Sequence, residues 1–285
     1  MHWQTARFAV DLSLPRVMGI VNLTPDSFSD GGRYSGNHAV LAHCEKLLAH
    51  GADILDLGAE SSRPGTPPVF EEEELKRLLP VLVEAVKLGV PISVDTYKPE
   101  VMRRALDLGA DIVNDIWALR QPGAREVVAS YPACGVCLMH MHGEPQTMQR
   151  VPLEGDAVPQ VLSFLQSATD ALRALGVDRQ RIVWDMGIGF GKSVTQNFAL
   201  MARQSELLAA GHPLLVGWSR KSSLGSVSGM AVNERLVPSV AAALLAVERG
   251  ARIVRVHDVR ETVAALKIWA ATISGAKNNS DEVEG

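Results

Sequence analysis

The segment HGADILDLG at residues 50–58 decides the fold, because the same pattern recurs twice further along the chain. LGADIVNDI at 108–116 and RGARIVRVH at 249–257 have the same order of residue types. In each segment a helical stretch ends at a glycine, and Gly-Ala then leads into a short apolar strand. A helix that stops at a glycine just before a buried strand is the joint of a βα repeat, so we predict a chain built from such repeats.

The pattern extends over the whole chain and predicts eight strands that alternate with eight helices. Eight βα units in roughly 250 residues are typical of a TIM (β/α)8 barrel, an α/β fold. A doubly wound sheet is the alternative, but it seldom keeps eight near-even units. We expect an N-terminal cap segment over 1–16, a single barrel domain over 17–274 and a disordered tail over 275–285. The predicted strands are 17–22, 53–58, 91–95, 111–115, 135–140, 181–185, 213–218 and 252–257, and the predicted helices are 38–49, 71–88, 99–108, 123–130, 156–175, 196–210, 233–249 and 259–273.

Composition sets broad limits on function. The chain has 285 residues, of which 47% are hydrophobic and 21% charged, and its formal net charge is −4. These values are ordinary for a globular protein and show no basic field for nucleic acid. We see no signal peptide and no apolar run long enough for a bilayer, so we expect a cytoplasmic protein without a membrane partner. We interpret CGVC at 134–137 as two buried, inert thiols rather than a redox or zinc site.

Polar residues fall at the carboxyl ends of the predicted strands, where a TIM barrel places its active site. Arg255 and His257 are two apart in a β-branched strand, so both point to the same face. Any one of these residues could cap a strand or meet solvent, but so many at one barrel mouth indicate a ligand site. The residues are Asn22, Asp56, Asp95, Asn114, Asp185, Ser219, Lys221, Arg255 and His257.

These residue types indicate a ligand with two different ends. Arg255, His257 and Lys221 suit an anion, and the fork of guanidinium donors suits a phosphate. Asp95 and Asp185 suit a heterocycle that presents N–H groups, because carboxylates accept hydrogen bonds from ring amino and imino donors. We therefore expect one ligand that carries a hydrogen-bonding ring and a phosphate.

Two motifs suggest other chemistry but fit it poorly. DMGIGFGKS at 185–193 resembles a phosphate-binding loop, yet Met186 stands where the Walker pattern needs glycine and Lys192 breaks the GxGxxG spacing. HMH at 140–142 suggests a transition metal. A metal-dependent hydrolase barrel of the amidohydrolase type, however, would need a histidine pair at the end of strand one and a histidine at the end of strand six, which ends in Asp185.

Eight ordered blocks cover nearly the whole sequence: MGIVNLTPDSFSDGG (18–32), LGAESSRPG (57–65), SVDTYKPEV (93–101), NDI (114–116), CLMHMHGEPQTMQ (137–149), DMGIGFGK (185–192), LLVGWSRKS (214–222) and IVRVHDV (253–259). In these blocks the chain resembles the bacterial dihydropteroate synthases. That family is a TIM barrel that joins dihydropterin-methyl diphosphate to 4-aminobenzoate in folate biosynthesis and releases diphosphate. Its members need Mg²⁺, are commonly dimers and are targets of sulfonamides, so the resemblance implies the same here.

The resemblance, carried over position by position, implies a role for each block. The catalytic residues would be Asn22, Asp95, Asp185, Lys221, Arg255 and His257. The pterin ring would be bound by Asp95, Asn114, Met139, Asp185, Gly217, Lys221 and Arg255. The diphosphate would be bound by Asn22, Arg63, Arg255 and His257, and Mg²⁺ by Asn22. The 4-aminobenzoate would be bound by Pro25, Phe28, Ser62, Pro64, Phe190 and Ser222.

A few residues depart from the family pattern. Ser62 stands where threonine is frequent, and Trp218 stands where methionine or another residue is more usual. Met186 and Ile188 replace a proline and an aromatic residue, so we expect a less rigid loop after the sixth barrel strand.

Two related functions stay open at the level of sequence. A pterin-binding methyltransferase barrel shares the ring-binding Asp and Asn pattern, but it lacks the set of Arg63, Arg255 and His257. A catalytically silent pterin-binding paralogue would have lost loop residues such as Asn22 or Arg63, which this chain keeps.

Overall fold

The computed structural model describes residues 1–23, 33–61, 65–144, 148 and 151–281. Within these ranges eight parallel strands, β3 to β10, follow one another around a closed barrel in which β10 pairs with β3. The predicted TIM barrel is therefore confirmed. The barrel strands are β3 (Arg16–Asn22), β4 (Ile54–Gly58), β5 (Ile92–Asp95), β6 (Ile112–Asp115), β7 (Gly135–Met139), β8 (Ile182–Asp185), β9 (Leu214–Val216) and β10 (Ile253–Val256).

The three repeated Gly-Ala joints have the geometry that the sequence predicts. Gly51, Gly109 and Gly250 have φ angles of 97°, 96° and 99°, in the left-handed region where a side chain would be strained. Strands β4, β6 and β10 each begin shortly after these glycines. The turn that ends each helix thus leads directly into the next barrel strand.

Helices surround the barrel and connect successive strands. None of the helices in the described ranges combines the length and hydropathy that crossing a bilayer requires. The helices are α1 (Arg33–Ala49), α2 (Glu71–Ala85), α3 (Pro99–Asp107), α4 (Ala124–Ser130), α5 (Ala157–Ala174), α6 (Val194–Ala202), α7 (Gln204–Leu208), α8 (Ser222–Ser228), α9 (Leu236–Glu248) and α10 (Val259–Asp281).

Some helices differ from the sequence prediction. The helix expected at 196–210 is divided into α6 and α7 at Arg203, whose side chain bonds to Asp156 and Glu206. Helix α8 was not predicted. Helix α10 continues to Asp281, past the predicted boundary at 274, because no proline follows to stop it. The last four residues, 282–285, lie outside the described ranges.

The predicted cap segment forms a hairpin at the amino-terminal end of the barrel. Its strands β1 (His2–Gln4) and β2 (Ala9–Asp11) pair antiparallel. The Trp3 side chain is fully buried against inward-facing residues of the barrel, including Met18 and Ile112, and its indole N–H donates to the Arg181 carbonyl at 2.9 Å. This end of the barrel is therefore filled by apolar packing, which leaves the carboxyl end of the strands for a ligand.

Candidate active site

The inward-facing side chains change character along each barrel strand. Near the cap they are apolar on seven strands, and Ser93 is buried on the eighth. Two residues further along, on the same face of each strand, stand mostly polar groups. The apolar set is Met18, Ile54, Ile112, Cys137, Val183, Leu215 and Ile253. The next set is Ile20, Asp56, Asp95, Asn114, Met139, Asp185, Gly217 and Arg255. Period-two alternation thus converts one barrel interior into a core at one end and a site at the other.

Arg255 lies between two carboxylates at the barrel mouth. Its Nε donates to Asp56 Oδ2 at 2.6 Å, and one terminal nitrogen donates to Asp95 Oδ2 at 2.7 Å. Asn114 Nδ2 lies 3.3 Å from the same Asp56 oxygen. Burial lowers the pKa of Arg255, but the carboxylates of Asp56 and Asp95 outweigh it and hold the pKa above its usual value. Burial raises the pKa of Asp95 to about 7, and the Arg255 charge opposes that rise.

Asp185 and Lys221 form the opposite side of the mouth. The Asp185 carboxylate is buried and accepts a hydrogen bond from the Gly187 N–H at 2.7 Å. Burial raises the pKa of Asp185, and that N–H opposes the rise. The Lys221 ammonium lies 4.1 Å from the Phe190 ring centroid. Burial lowers the pKa of Lys221 to about 8, with a smaller contribution from the Arg255 charge. The mouth therefore holds carboxylates and cations in a low-dielectric setting, where each strongly affects the other.

The loop after β8 is held by a buried ammonium. Lys192 is 3% exposed, and its Nζ donates to the carbonyls of His140, Gly187 and Phe190. A Cβ on Gly187 would lie 1.8 Å from the His140 carbonyl oxygen, so only glycine fits there. Met186 and Ile188 are buried. The reduced loop rigidity expected from these two residues is therefore countered by Lys192 and by close backbone packing.

A second turn, between β9 and α8, orients His257 and Lys221. Ser219 Oγ lies 2.9 Å from His257 Nδ1 and accepts from the His257 backbone N–H at 3.2 Å. Arg220 has a left-handed φ of 59°. It is held in this strained conformation by an ion pair with Asp258 at 2.6 Å and by a backbone bond to Ser239 Oγ at 2.9 Å. The contacts of Arg220 thus fix the turn that presents Lys221.

Two adjoining cavities of about 470 Å³ and 30 Å³ open at this mouth and share part of their walls. The smaller cavity is lined by all seven residues to which the resemblance assigns the pterin ring: Asp95, Asn114, Met139, Asp185, Gly217, Lys221 and Arg255. The larger one is lined by Asn22, Phe190, Ser222 and His257, among others. The structure therefore brings together every predicted site residue that it describes. Pro25, Phe28, Ser62, Arg63 and Pro64 lie outside the described residues.

Sequence reasoning missed three contributors to this site. Asp56 was recognised as a polar residue at the mouth but received no role, although it is the partner of Arg255 Nε. Lys192 served only to reject a phosphate-loop motif, and Glu60, which lines the larger cavity, was not considered. An acidic or basic residue inside an otherwise apolar or Gly-rich segment was the available signal for each.

His140 and Cys134, which belong to the motifs that suggested other chemistry, are buried side chains. Burial lowers the pKa of His140 to about 2, so its ring is neutral. Cys134 is buried and free, as predicted, and burial raises its pKa to about 11, so it remains a thiol. Among the described residues no group of three or more His, Cys, Asp or Glu side chains is arranged to hold a metal ion.

A barrel mouth that combines buried carboxylates, an Asn amide, Arg and Lys defines an enzyme that binds an anionic ligand with a hydrogen-bonding ring. Residues 18–257 match the model of the pterin binding enzymes. The chain is 52% identical to the dihydropteroate synthase of Neisseria meningitidis serogroup B (strain MC58), over 94% of this chain and 96% of that protein. It belongs to the pterin binding enzymes and, among them, to the dihydropteroate synthases, which are transferases of folate biosynthesis.

Solved structures agree with this placement. Dihydropteroate synthase of Burkholderia cenocepacia, in complex with 7,8-dihydropteroate, matches with a TM-score of 0.89 and 48% identity over 97% of this chain and 98% of that one. The Yersinia pestis enzyme, in complex with a sulfonamide drug, matches with a TM-score of 0.90 and 43% identity over 96% of this chain and 100% of that one. These relatives favour the synthase over the methyltransferase alternative.

Proposed function

We propose that the barrel mouth joins (7,8-dihydropterin-6-yl)methyl diphosphate to 4-aminobenzoate, forming 7,8-dihydropteroate and diphosphate. The observation that carries this assignment is the Arg255 guanidinium, which bridges Asp56 and Asp95. Arg255 and His257 both line the larger cavity. One set of carboxylates faces a ring and one set of cations faces an anion, as a pterin diphosphate requires. The B. cenocepacia relative bound to 7,8-dihydropteroate supports the product.

The pterin ring lies between Asp95, Asn114 and Asp185. The carboxylates and the amide oxygen accept hydrogen bonds from the amino and imino groups of the ring, and Lys221 donates to a ring acceptor. Met139 and Gly217 frame the ring, with Gly217 leaving room for it. Because the Asp185 and Asn114 side chains are buried, a ring that lacks these donors would leave polar groups unpaired and would bind weakly.

The carbon–oxygen bond to the diphosphate breaks before the new bond forms. The electron pair of that bond leaves with the diphosphate, and the electron-rich dihydropterin delocalises the positive charge that remains on its methylene. Asp95 and Asp185 stabilise this cation, while Arg255 and His257 meet the departing anion. The nitrogen lone pair of 4-aminobenzoate then attacks the methylene. The nitrogen then releases its proton to solvent water, so no strong general base is needed.

The donor set fits Mg²⁺ that arrives with the substrate. Asn22 lies in the wall of the larger cavity, and its neutral amide oxygen can serve as a metal ligand. The Asp56 and Asp95 carboxylates, by contrast, are paired with Arg255. Mg²⁺ commonly takes one or two protein ligands and completes its shell with phosphate oxygens and water. Bound there, it would neutralise charge on the diphosphate.

The second substrate binds at the outer side of the same cavity. Phe190 and Ser222 line the larger cavity, and Phe190 also lines the smaller one. The remaining predicted contacts, Pro25, Phe28, Ser62 and Pro64, stay predictions from the resemblance. The Y. pestis relative in complex with a sulfonamide drug supports sulfonamides as further ligands of this chain. The cytoplasmic location also stays a prediction.

Exposed apolar side chains support a homodimer. They lie on the neighbouring elements α8, α9 and α10 and on the segment between α8 and α9. A monomer rarely exposes a large apolar patch without a partner. The side chains are Val227, Met230, Val232, Leu236, Val237, Leu245, Ile268 and Ile273.

Asp185→Asn should weaken pterin binding by about 10- to 100-fold, the range expected when a buried acceptor becomes a donor. The asparagine would keep its single oxygen on the Gly187 N–H and turn its NH₂ toward the ring donors. Calorimetry with a pterin analogue measures the loss. Asp178→Asn, just before the opposite end of β8, is the matched control and should bind as the wild type does. Unchanged affinity in Asp185→Asn would reduce Asp185 to a support of its loop.

Removal of Mg²⁺ should weaken the binding of inorganic diphosphate but not that of a pterin analogue without phosphate. The reason is that Asn22 is the one ligand that the proposal assigns to the metal among the described residues, so the metal acts through the diphosphate. Calorimetric titrations in Mg²⁺ and in EDTA compare the two ligands. Equal diphosphate affinity in both buffers would contradict the metal proposal.

Val237→Asp should shift the protein from dimer to monomer, because Val237 is 70% exposed within the apolar patch and a charge there cannot be buried without cost. Phe70→Asp is the matched control, since Phe70 is an even more exposed apolar residue, at 87%, that directly precedes α2 and lies outside α8–α10. Sedimentation equilibrium measures both variants. A monomeric wild type at micromolar concentration would refute the dimer.

A further inference from the structure

A buried charge cluster lies beside the larger cavity and is not explained by ring or diphosphate binding. Glu60 follows β4, and Tyr97 and Lys98 follow β5. The Tyr97 hydroxyl donates to Glu60 Oε1 at 2.9 Å, and the Lys98 ammonium forms short contacts with Glu60 Oε2 and with Glu74 Oε2. The side chains of Lys98 and Glu60 are each 13% exposed, and that of Glu74 is 1% exposed.

Glu60 is the member of this cluster that faces the cavity. Among the residues that the structure describes, the cavity wall includes Glu60 together with Asn22, Arg255 and His257, but neither Tyr97 nor Lys98. A carboxylate in the wall of an anion site repels the anion, and the repulsion is strong where water is excluded. Both oxygens of Glu60 are bonded to donors that lie behind the wall, so this charge is neutralised from outside the cavity.

Lys98 compensates a second acid at the same time. Glu74 lies in the first turn of α2, and its side chain is almost completely buried. Burial raises the pKa of Glu74, and the hydrogen bond from Lys98 opposes the rise. The two other Lys–Glu pairs of the described residues, Lys76–Glu73 and Lys87–Glu84, are exposed on helix surfaces, where they contribute little. The ammonium of Lys98 thus sits between one acid of the cavity wall and one acid of the scaffold.

We propose that Lys98 is a positioning residue for the diphosphate site: together with Tyr97 it neutralises Glu60 and holds it in the wall, so that the Glu60 carboxylate is not an unpaired negative charge facing the leaving group. The inference rests on the proposed assignment of the diphosphate to Asn22, Arg255 and His257. Tyr97 is itself fixed by stacking on Trp117, with ring centroids 5.1 Å apart.

Two double variants separate this role from a purely structural one. Lys98→Met with Glu74→Gln leaves Glu60 charged and without Lys98, whereas Lys98→Met with Glu60→Gln leaves only the scaffold acid. Both lose one lysine and one glutamate, so they have the same formal charge. We expect the first variant to bind inorganic diphosphate, in Mg²⁺ buffer, about tenfold more weakly than wild type, the size of effect that one unpaired charge has on a partly buried anion. The second should bind within about twofold of wild type.

The readouts are calorimetry with inorganic diphosphate, calorimetry with 6-hydroxymethylpterin, and the KM and kcat for pterin diphosphate. The uncharged pterin should bind equally to both double variants, and KM for pterin diphosphate should rise in the first with little change in kcat. Lys87→Met, which breaks an exposed pair, controls for the loss of a positive charge and should bind as wild type does. Equal diphosphate affinity in the two double variants would overturn the role of Lys98.

Glu60→Gln keeps the Lys98–Glu74 pair and serves if a double variant fails to fold. It should bind diphosphate more tightly than wild type, because Lys98 then has one acid to neutralise instead of two. Weaker binding would show that Glu60 itself contacts the ligand or its metal, which overturns the proposal. If the wild type and Arg255→Ala bound diphosphate equally, the diphosphate assignment itself would fail. If Arg255→Ala bound diphosphate more weakly but the two double variants bound it equally, only the role of Lys98 would fail.

Discussion

The pairing of the Arg255 guanidinium with Asp56 and Asp95 is the interaction on which the site depends. A buried charge is tolerated when its partners satisfy it, and removal of one partner from such a pair typically costs about 3–5 kcal/mol. Here the guanidinium bonds to carboxylates on two different strands at 2.6 and 2.7 Å, and Asn114 approaches the same Asp56 carboxylate. Each side chain thus fixes the direction of the next, and the mouth is preorganised before any ligand arrives.

In the barrel, the same short strands supply both the apolar core and the polar site. A step of two residues along a strand keeps a side chain on the same face, so the strand that contributes Ile253 to the core contributes Arg255 to the site. The hairpin that carries Trp3 fills the amino-terminal end. Apolar packing at the amino-terminal end therefore supports the polar layer, and the charged side chains of β4, β5, β8 and β10 converge at the open end.

Much of the fold followed from the sequence, for reasons that are local. A glycine that ends a helix and a β-branched run after it need only their neighbours, so the joints at Gly51, Gly109 and Gly250 and the strand bounds were predictable to within one or two residues. Helix α8 and the break at Arg203 were not, since short helices depend on tertiary contacts, such as the ion pair of Arg203 with Asp156, 47 positions away.

The candidate site was predictable in its members more than in its contacts. Strand-end position and residue type identified Asp95, Asp185 and Arg255, and the family resemblance supplied their separate roles. The contacts between these residues could not be predicted, because Asp56 and Arg255 are 199 positions apart in the sequence and Glu60 and Lys98 are 38 apart. Lys192 resembled part of a phosphate loop, and only the fold shows that its ammonium donates hydrogen bonds to three backbone carbonyls.

The most direct test of the account is a comparison of two arginines that each bond to two carboxylates. Arg255→Ala removes the guanidinium at the mouth, and Arg203→Ala removes one on the exposed surface, where it pairs with Asp156 and Glu206. Steady-state kcat/KM for pterin diphosphate and 4-aminobenzoate should fall by about 30- to 1,000-fold in Arg255→Ala, equivalent to about 2–4 kcal/mol of transition-state stabilisation, and stay near wild type in Arg203→Ala. Circular dichroism should show both variants folded. A folded Arg255→Ala enzyme with wild-type kcat/KM would contradict the account.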